Sequence, residues 1–257
     1  KIKPNFVEAF FNLGIVLQSQ NKNKEAIDAY EKAVNIQPGF YEAIANIGTI
    51  KQLQGDLDQA IELFIQSLSV HEDGRGNYNL ACAYRNQGNL SLAIKYYRRA
   101  IEIGSGEAEF YSDLGDALWH EGKIEEANQF LRMAVKVNPS HPRANYQLAI
   151  FLYDNKEFDD AIKYFEASGF EDWEERVLYC MYKLEKFNEF KEKLSVVIKK
   201  KNCSPFLATL SKHYSQNFKI KDNYNFCPNP LELVAHEKVE ELLAEDEKLK
   251  NQLLYDI

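Results

Sequence analysis

Residues 11–20 read "FNLGIVLQSQ". Glycine inside an otherwise amphipathic helix costs about 1 kcal/mol relative to alanine, so Gly14 needs a reason to be there. The triplet Asn12-Leu13-Gly14 recurs as Asn46-Ile47-Gly48, Asn79-Leu80-Ala81, Asp113-Leu114-Gly115 and Gln147-Leu148-Ala149. Its middle residues are spaced by 34, 33, 34 and 34 positions, the signature of an internal repeat.

Other positions keep this register. An alanine stands 12 residues after each Gly or Ala, at Ala26, Ala60, Ala93, Ala127 and Ala161. A large apolar residue follows at Tyr30, Phe64, Tyr97, Leu131 and Phe165, and then a small one at Ala33, Ser67, Ala100, Ala134 and Ser168. Pro38 and Pro139 close two repeats. "QGD" at 54–56, "QGN" at 87–89 and "EGK" at 121–123 mark a turn inside a repeat, where glycine suits a left-handed helix C-cap. Each unit therefore reads as helix, turn, helix. The small residues let two antiparallel helices approach, and the large one fills the adjoining groove. One pair cannot bury its apolar face alone, so the pairs stack.

This pattern resembles the tetratricopeptide repeat over Val7 to Ser168, in five units. A sixth, degenerate unit runs from Glu171 to Lys201 with Phe187 in register. It puts Leu178 and Phe190 where the other units have small residues, and the fifth unit breaks at Ser168-Gly169, so irregular packing is expected there. The resemblance implies an all-α, right-handed superhelical solenoid of antiparallel helix pairs with a C-terminal helical cap. The expected domains are a repeat array over 1–201 and a cap, or a junction to a further domain, over 202–257.

Composition agrees with a folded chain. Of 257 residues, 45% are hydrophobic and 27% charged, and Gly and Pro number only 12 and 7. The formal charge of -8 argues against nucleic acid as partner, because a phosphate backbone calls for a basic face. No apolar run reaches the ~18–20 residues of a membrane span. Cys82, Cys180, Cys203 and Cys227 are scattered, which favours reduced thiols in a cytoplasmic protein. A chain that starts with Lys1 rather than Met is expected to be a fragment, which leaves a leader upstream open.

Beyond Asn202 the register fades. "SPFLATLSKHY" reads as one more helix with Pro205 in its first turn. Pro228 and Pro230 break the next stretch, and an acidic amphipathic pattern resumes from Leu231. The stretch "NYNFCPNPLELV" is similar to the segment that follows tetratricopeptide repeats in some proteins carrying an iron/2-oxoglutarate oxygenase domain.

Signs of chemistry are weak. His71-Glu72-Asp73 has the spacing of an iron ligand pair but falls at a turn between repeats. His236-Glu237 begins a zinc motif whose second ligand position is Glu240. Gly104 and Gly106 mimic half a phosphate loop without a preceding strand, and Lys199–Lys201 suits a helix C-terminus. No catalytic residue, metal site or cofactor is expected.

The residue before each Leu or Ile of the triplets lies just off the apolar stripe and faces the inner groove. Asn12, Asn46, Asn79, Asp113 and Gln147 hold that position, with Arg176 in the degenerate unit. Amides donate and accept hydrogen bonds, as an extended peptide backbone requires. The row resembles the asparagine ladder in the repeats of O-linked N-acetylglucosamine transferase at Asn12, Asn46 and Asn79, from which Asp113 and Gln147 depart. Tyr78, Tyr146, Arg85, Trp119 and Tyr153 lie beside it and are of the types that anchor interfaces. Repeats of the chaperone-tail class grip a terminal carboxylate with a lysine one residue before the triplet Asn. Phe11, Ala45 and Tyr78 stand there, so no such clamp is expected.

The expected function is a non-catalytic scaffold that binds a protein or peptide in its concave groove. One alternative is the recruiting or regulatory arm of a larger enzyme, such as an iron/2-oxoglutarate oxygenase. Another is self-association into a homo-oligomer.

Overall fold

The computed structural model describes residues 5–104, 106–170, 172–200, 204–222 and 224. Among the described residues there are thirteen α-helices and no strand. The chain divides into two compact units, Lys1–Phe170 and Glu171–Ile257. This division falls just after the fifth repeat and leaves the degenerate unit with the C-terminal segment.

The first unit is five helix pairs: α1 (Asn5–Ser19) with α2 (Asn23–Ile36), α3 (Tyr41–Leu53) with α4 (Leu57–Val70), α5 (Gly74–Asn86) with α6 (Leu90–Ile103), α7 (Ala108–His120) with α8 (Ile124–Val137), and α9 (Pro142–Asp154) with α10 (Phe158–Ser168). Each triplet lies on a first helix, and each Ala-large-small set on a second. The close-contact sites behave as their volumes dictate. Ala26, Ala60, Ala93, Ala127 and Ala161 are fully buried, as are Tyr30, Phe64, Tyr97, Leu131 and Phe165. A Cβ on Gly48 would come within 2.9 Å of the Phe64 ring, and one on Gly115 within 2.9 Å of Leu131. At Gly14 the Tyr30 ring occupies the space a side chain would need. The glycine that weakens the helix locally is thus required by the helix packed against it.

The turns within repeats put the second-last residue before the second helix in a left-handed conformation. Gly55, Gly88 and Gly122 take it with φ of 83°, 86° and 84°. Asn21 and Lys156 hold the same position in the first and fifth repeats with φ of 59° and 64°. Asp56, Asp73 and Asn89 cap the helices that follow them by accepting backbone N–H bonds.

Leu13 departs from the later repeats. Its equivalents Ile47, Leu80, Leu114 and Leu148 are at most 6% exposed, whereas Leu13 is 47% exposed. They are covered by the second helix of the repeat before; no described helix precedes α1. Leu13 therefore marks the repeat register without sharing in the core.

The fifth repeat ends early, as its sequence predicts: α10 has 11 residues against 14 in the second helices before it, and stops at Gly169 with φ of 63°. The second unit contains α11 (Trp173–Lys183), α12 (Phe187–Lys200) and α13 (Pro205–Phe218). Leu178 and Phe190 are buried at the sites where other repeats carry small residues. The α11–α12 pair packs less closely than the earlier pairs, as bulk at these two sites would dictate. Ser204 caps α13 and Pro205 opens its first turn. Phe190 and Tyr214 join α12 to α13, with ring centroids 4.7 Å apart. The acidic pattern from Leu231, the oxygenase-like similarity beyond Tyr224, and Cys203 and Cys227 lie outside the described residues.

Candidate peptide-binding groove

In the first unit, first helices of neighbouring repeats touch directly, α3 with α5 and α7 with α9, and approach more closely than any two second helices do. The first-helix side is therefore the inner one. Asn12 is exposed, Asn46 and Asn79 are half-buried, and the Asn12 and Asn79 amides make no hydrogen bond among the described residues. Asn46 lies beside the Tyr30 hydroxyl, which burial holds above its usual range and which donates to Gln18 Oε1 at 2.9 Å.

Further along, the structure draws several of the expected residues into one cluster. Asp113 is only 6% exposed. Its carboxylate accepts from the Tyr78 hydroxyl at 2.6 Å and from Arg143 Nη1 at 2.8 Å, and Arg85 Nη1 lies 3.2 Å away. Asp113 thus ties α5, α7 and α9 together rather than facing the groove as a free group. Burial, first, and then the Cys82 and Asp113 neighbours raise the Tyr78 hydroxyl well above its usual range, so it stays a donor. Burial likewise pushes up the Cys82 thiol, which accepts from Tyr97 at 3.4 Å. One turn on from Asp113, Asp116 accepts from Gln147 Nε2, while Gln147 Oε1 and Ser112 Oγ are buried without a hydrogen-bond partner.

The aromatic residues are half-buried and serve two purposes. Tyr146 meets Phe165 edge-on at 5.8 Å and Phe170 at 4.7 Å. Tyr153 meets Phe165 at 6.4 Å, and Trp119 meets Phe151 at 6.3 Å. Each ring closes the core with one part and leaves another exposed. Arg143 and Asp116 escaped the sequence reading, which followed the ladder position and its immediate flanks. Asp116 stands three residues after Asp113 on the same helix face, and that spacing was the available signal.

The tripeptide His71-Glu72-Asp73 is occupied with its turn. His71 packs against Tyr41 with the rings tilted and their centroids 4.5 Å apart, Glu72 binds Arg99 through both oxygens, and Asp73 caps α5. Among the described residues no group of three His, Cys, Asp or Glu is placed to hold a metal, and no helix is long and apolar enough to cross a membrane.

Stacked helix pairs with a polar, aromatic-flanked inner face define an α-solenoid of the protein-interaction class. Sequence models described as tetratricopeptide repeat match residues 7–40, 41–105, 78–135 and 112–171. The chain belongs to the tetratricopeptide repeat family. Human protein O-mannosyl-transferase TMTC1 is 35% identical over 74 residues, 29% of this chain and 8% of that protein. The chain spans less than a tenth of the length of the curated relatives it matches. Among solved structures, Pseudomonas aeruginosa pilF superposes with a TM-score of 0.65 at 17% identity, over 88% of this chain and 97% of that one. YrrB, described as a tetratricopeptide repeat protein with an unusual peptide-binding site, superposes with a TM-score of 0.52 at 22% identity, over 62% and 82%.

Proposed function

We propose that the first unit is a non-catalytic scaffold whose inner face holds an extended segment of a partner protein. The observation that carries this reading is the row of Asn12, Asn46 and Asn79 in one register, with the Asn12 and Asn79 amides uncommitted. Amides repeated on successive first helices can bond the alternating N–H and C=O groups of a peptide backbone without reading its side chains. Specificity comes from what flanks them. Tyr78, Trp119, Tyr146 and Tyr153 offer ring edges, and Arg85 offers its guanidinium N–H groups beyond the one on Asp113. Asp113 and Gln147 support the wall of the groove through Arg143 and Asp116. Peptide binding by a protein of the same fold, YrrB, accords with this reading.

The test is a pull-down with the full chain, followed by affinity measurement of the captured partner against Asn46→Ala with Asn79→Ala. Two lost hydrogen bonds should weaken binding by about ten-fold or more at unchanged helicity. Unchanged affinity would remove the amide row from the binding model.

A second reading is favoured by the length of the curated relatives. A repeat segment making up less than a tenth of each would suit a recruiting arm that presents substrates to a separate catalytic domain.

A further inference from the structure

The second repeat carries a cleft on the side of α3 turned away from Asn46. At about 100° per residue, Ile44, Ile47 and Lys51 share one face of α3, and Asn46 lies on another. The cleft has a volume of about 620 Å³, within the range of ligand-binding clefts. Val34 of α2, Ile44 and Ile47 of α3, and Leu63 of α4 form its apolar floor; Glu31, Lys51 and Glu62 stand around it.

Neighbouring repeats fill the equivalent space themselves. By the repeat register, Lys51 corresponds to Tyr84 and Leu63 to Tyr96. Those two rings stack at 5.5 Å with an interplanar angle of 12°. In the fourth repeat Ile44 corresponds to Tyr111 and Leu63 to Phe130, and these rings stack at 6.4 Å and 19°. The second repeat has an ammonium and a branched aliphatic chain instead of a ring pair, and the space stays open.

Charge differs in the same way. Glu62 corresponds to Lys95, whose ammonium lies 5.5 Å from the centre of the Tyr96 ring. The filled cleft of the third repeat therefore contains a ring with a cation over it. Around its apolar floor the open cleft has two exposed carboxylates, Glu31 and Glu62, against one ammonium, Lys51, and none of the three is in an ion pair among the described residues. From this complementarity we propose that the cleft between α2, α3 and α4 is a second docking surface, which takes an aromatic side chain from a basic segment of a partner protein. The ring lies on Val34, Ile47 and Leu63, and the flanking lysine or arginine pairs with Glu31 and Glu62. This surface is independent of the inner groove.

The test is a methyl NMR titration of the full chain with a capped Lys-Tyr-Lys peptide, and with a capped Glu-Tyr-Glu peptide as control. The Ile44, Ile47 and Leu63 methyls should shift with the basic peptide only. Lys51→Tyr with Leu63→Tyr, copying the third repeat, should weaken that binding on the order of ten-fold. Glu31→Gln with Glu62→Gln should weaken it several-fold and serves if the ring-filled variant does not fold. Asn46→Ala with Asn79→Ala should leave it unchanged, which separates this surface from the inner groove. No shift at millimolar basic peptide, equal binding of the acidic peptide, or equal binding by both cleft variants would overturn the proposal.

Discussion

The second and third repeats share a register and nearly every core position, yet one presents an open cleft where the other is filled. In both, a small residue on the first helix faces a large one on the second: Gly48 under Phe64, Ala81 beside Tyr97. All four are buried. In the third repeat a stacked Tyr84–Tyr96 pair extends this packing to the outer side. In the second it stops at Ile47 and Leu63. The contact that holds a pair together is thus separable from the packing that covers it. The inner positions repeat because the helix spacing depends on them; the outer ones are free to vary, and there a repeat can acquire a binding surface.

The strongest way to break the comparison is to attack what the two repeats share. Phe64→Ala removes a fully buried ring and leaves a void that the Gly48 face cannot close. We expect a loss of about 3–5 kcal/mol in urea unfolding, and a similar loss for Tyr97→Ala. A cost below about 1 kcal/mol at either site would mean that the helix pairs do not depend on this residue.

A middle-sized effect should come from turning the third repeat into the second. Tyr84→Lys with Tyr96→Leu removes the stacked pair, whose rings are half-buried. The loss should be about 1–2 kcal/mol, part of it the ring–ring term itself. The variant opens a cleft but keeps Lys95 beside it, so it should not gain affinity for the Lys-Tyr-Lys peptide. Adding Lys95→Glu should create that affinity, visible as shifts at the Leu80 methyls. Binding without the charge change would show that the floor alone selects the ligand.

The sequence carries the inner architecture well because volume at a fixed register is a local property. Gly14, Ala26 and Tyr30 constrain one another within a single repeat, and the 34-residue step shows the constraint again in the next. The commitment of Asp113 is of another kind. Its partners Tyr78, Arg85 and Arg143 lie on two other helices, and nothing in the spacing says that two guanidinium groups converge on one carboxylate. The sequence shows Asp113 only as a departure in residue type from a polar row, while the structure divides that row into free amides at Asn12 and Asn79 and an internal tie at Asp113. Leu13 differs from its equivalents for a related reason: register identifies a position but does not supply the neighbour that buries it. The cleft was within reach, since Lys51 and Tyr84 are visibly unlike residues at one repeat position. It shows only when the fourth residue after each Leu or Ile is compared along with the triplet itself.

The smallest effect concerns the turn that the second and third repeats have in common. Gly55 and Gly88 sit at φ of 83° and 86°, a conformation that costs an L-residue about 1–2 kcal/mol. The fifth repeat places Lys156 there at φ of 64°, exposed, with its backbone N–H bonded to the Tyr153 carbonyl at 3.0 Å. Lys156→Gly relieves the left-handed strain, and the extra freedom of glycine in the unfolded chain offsets part of the gain. The net should be a stabilisation of about 0.5–1 kcal/mol, read as a higher urea midpoint at an unchanged slope. Gly88→Ala should shift the midpoint the other way by a similar amount, because nothing lies within 4 Å to clash and only the backbone conformation is at stake. Asn21→Gly should give less than Lys156→Gly, since asparagine tolerates the left-handed region through local hydrogen bonding. If Lys156→Gly instead destabilises, the turn of the fifth repeat depends on its lysine for more than backbone shape, and the likeness among the five turns does not extend to their energetics.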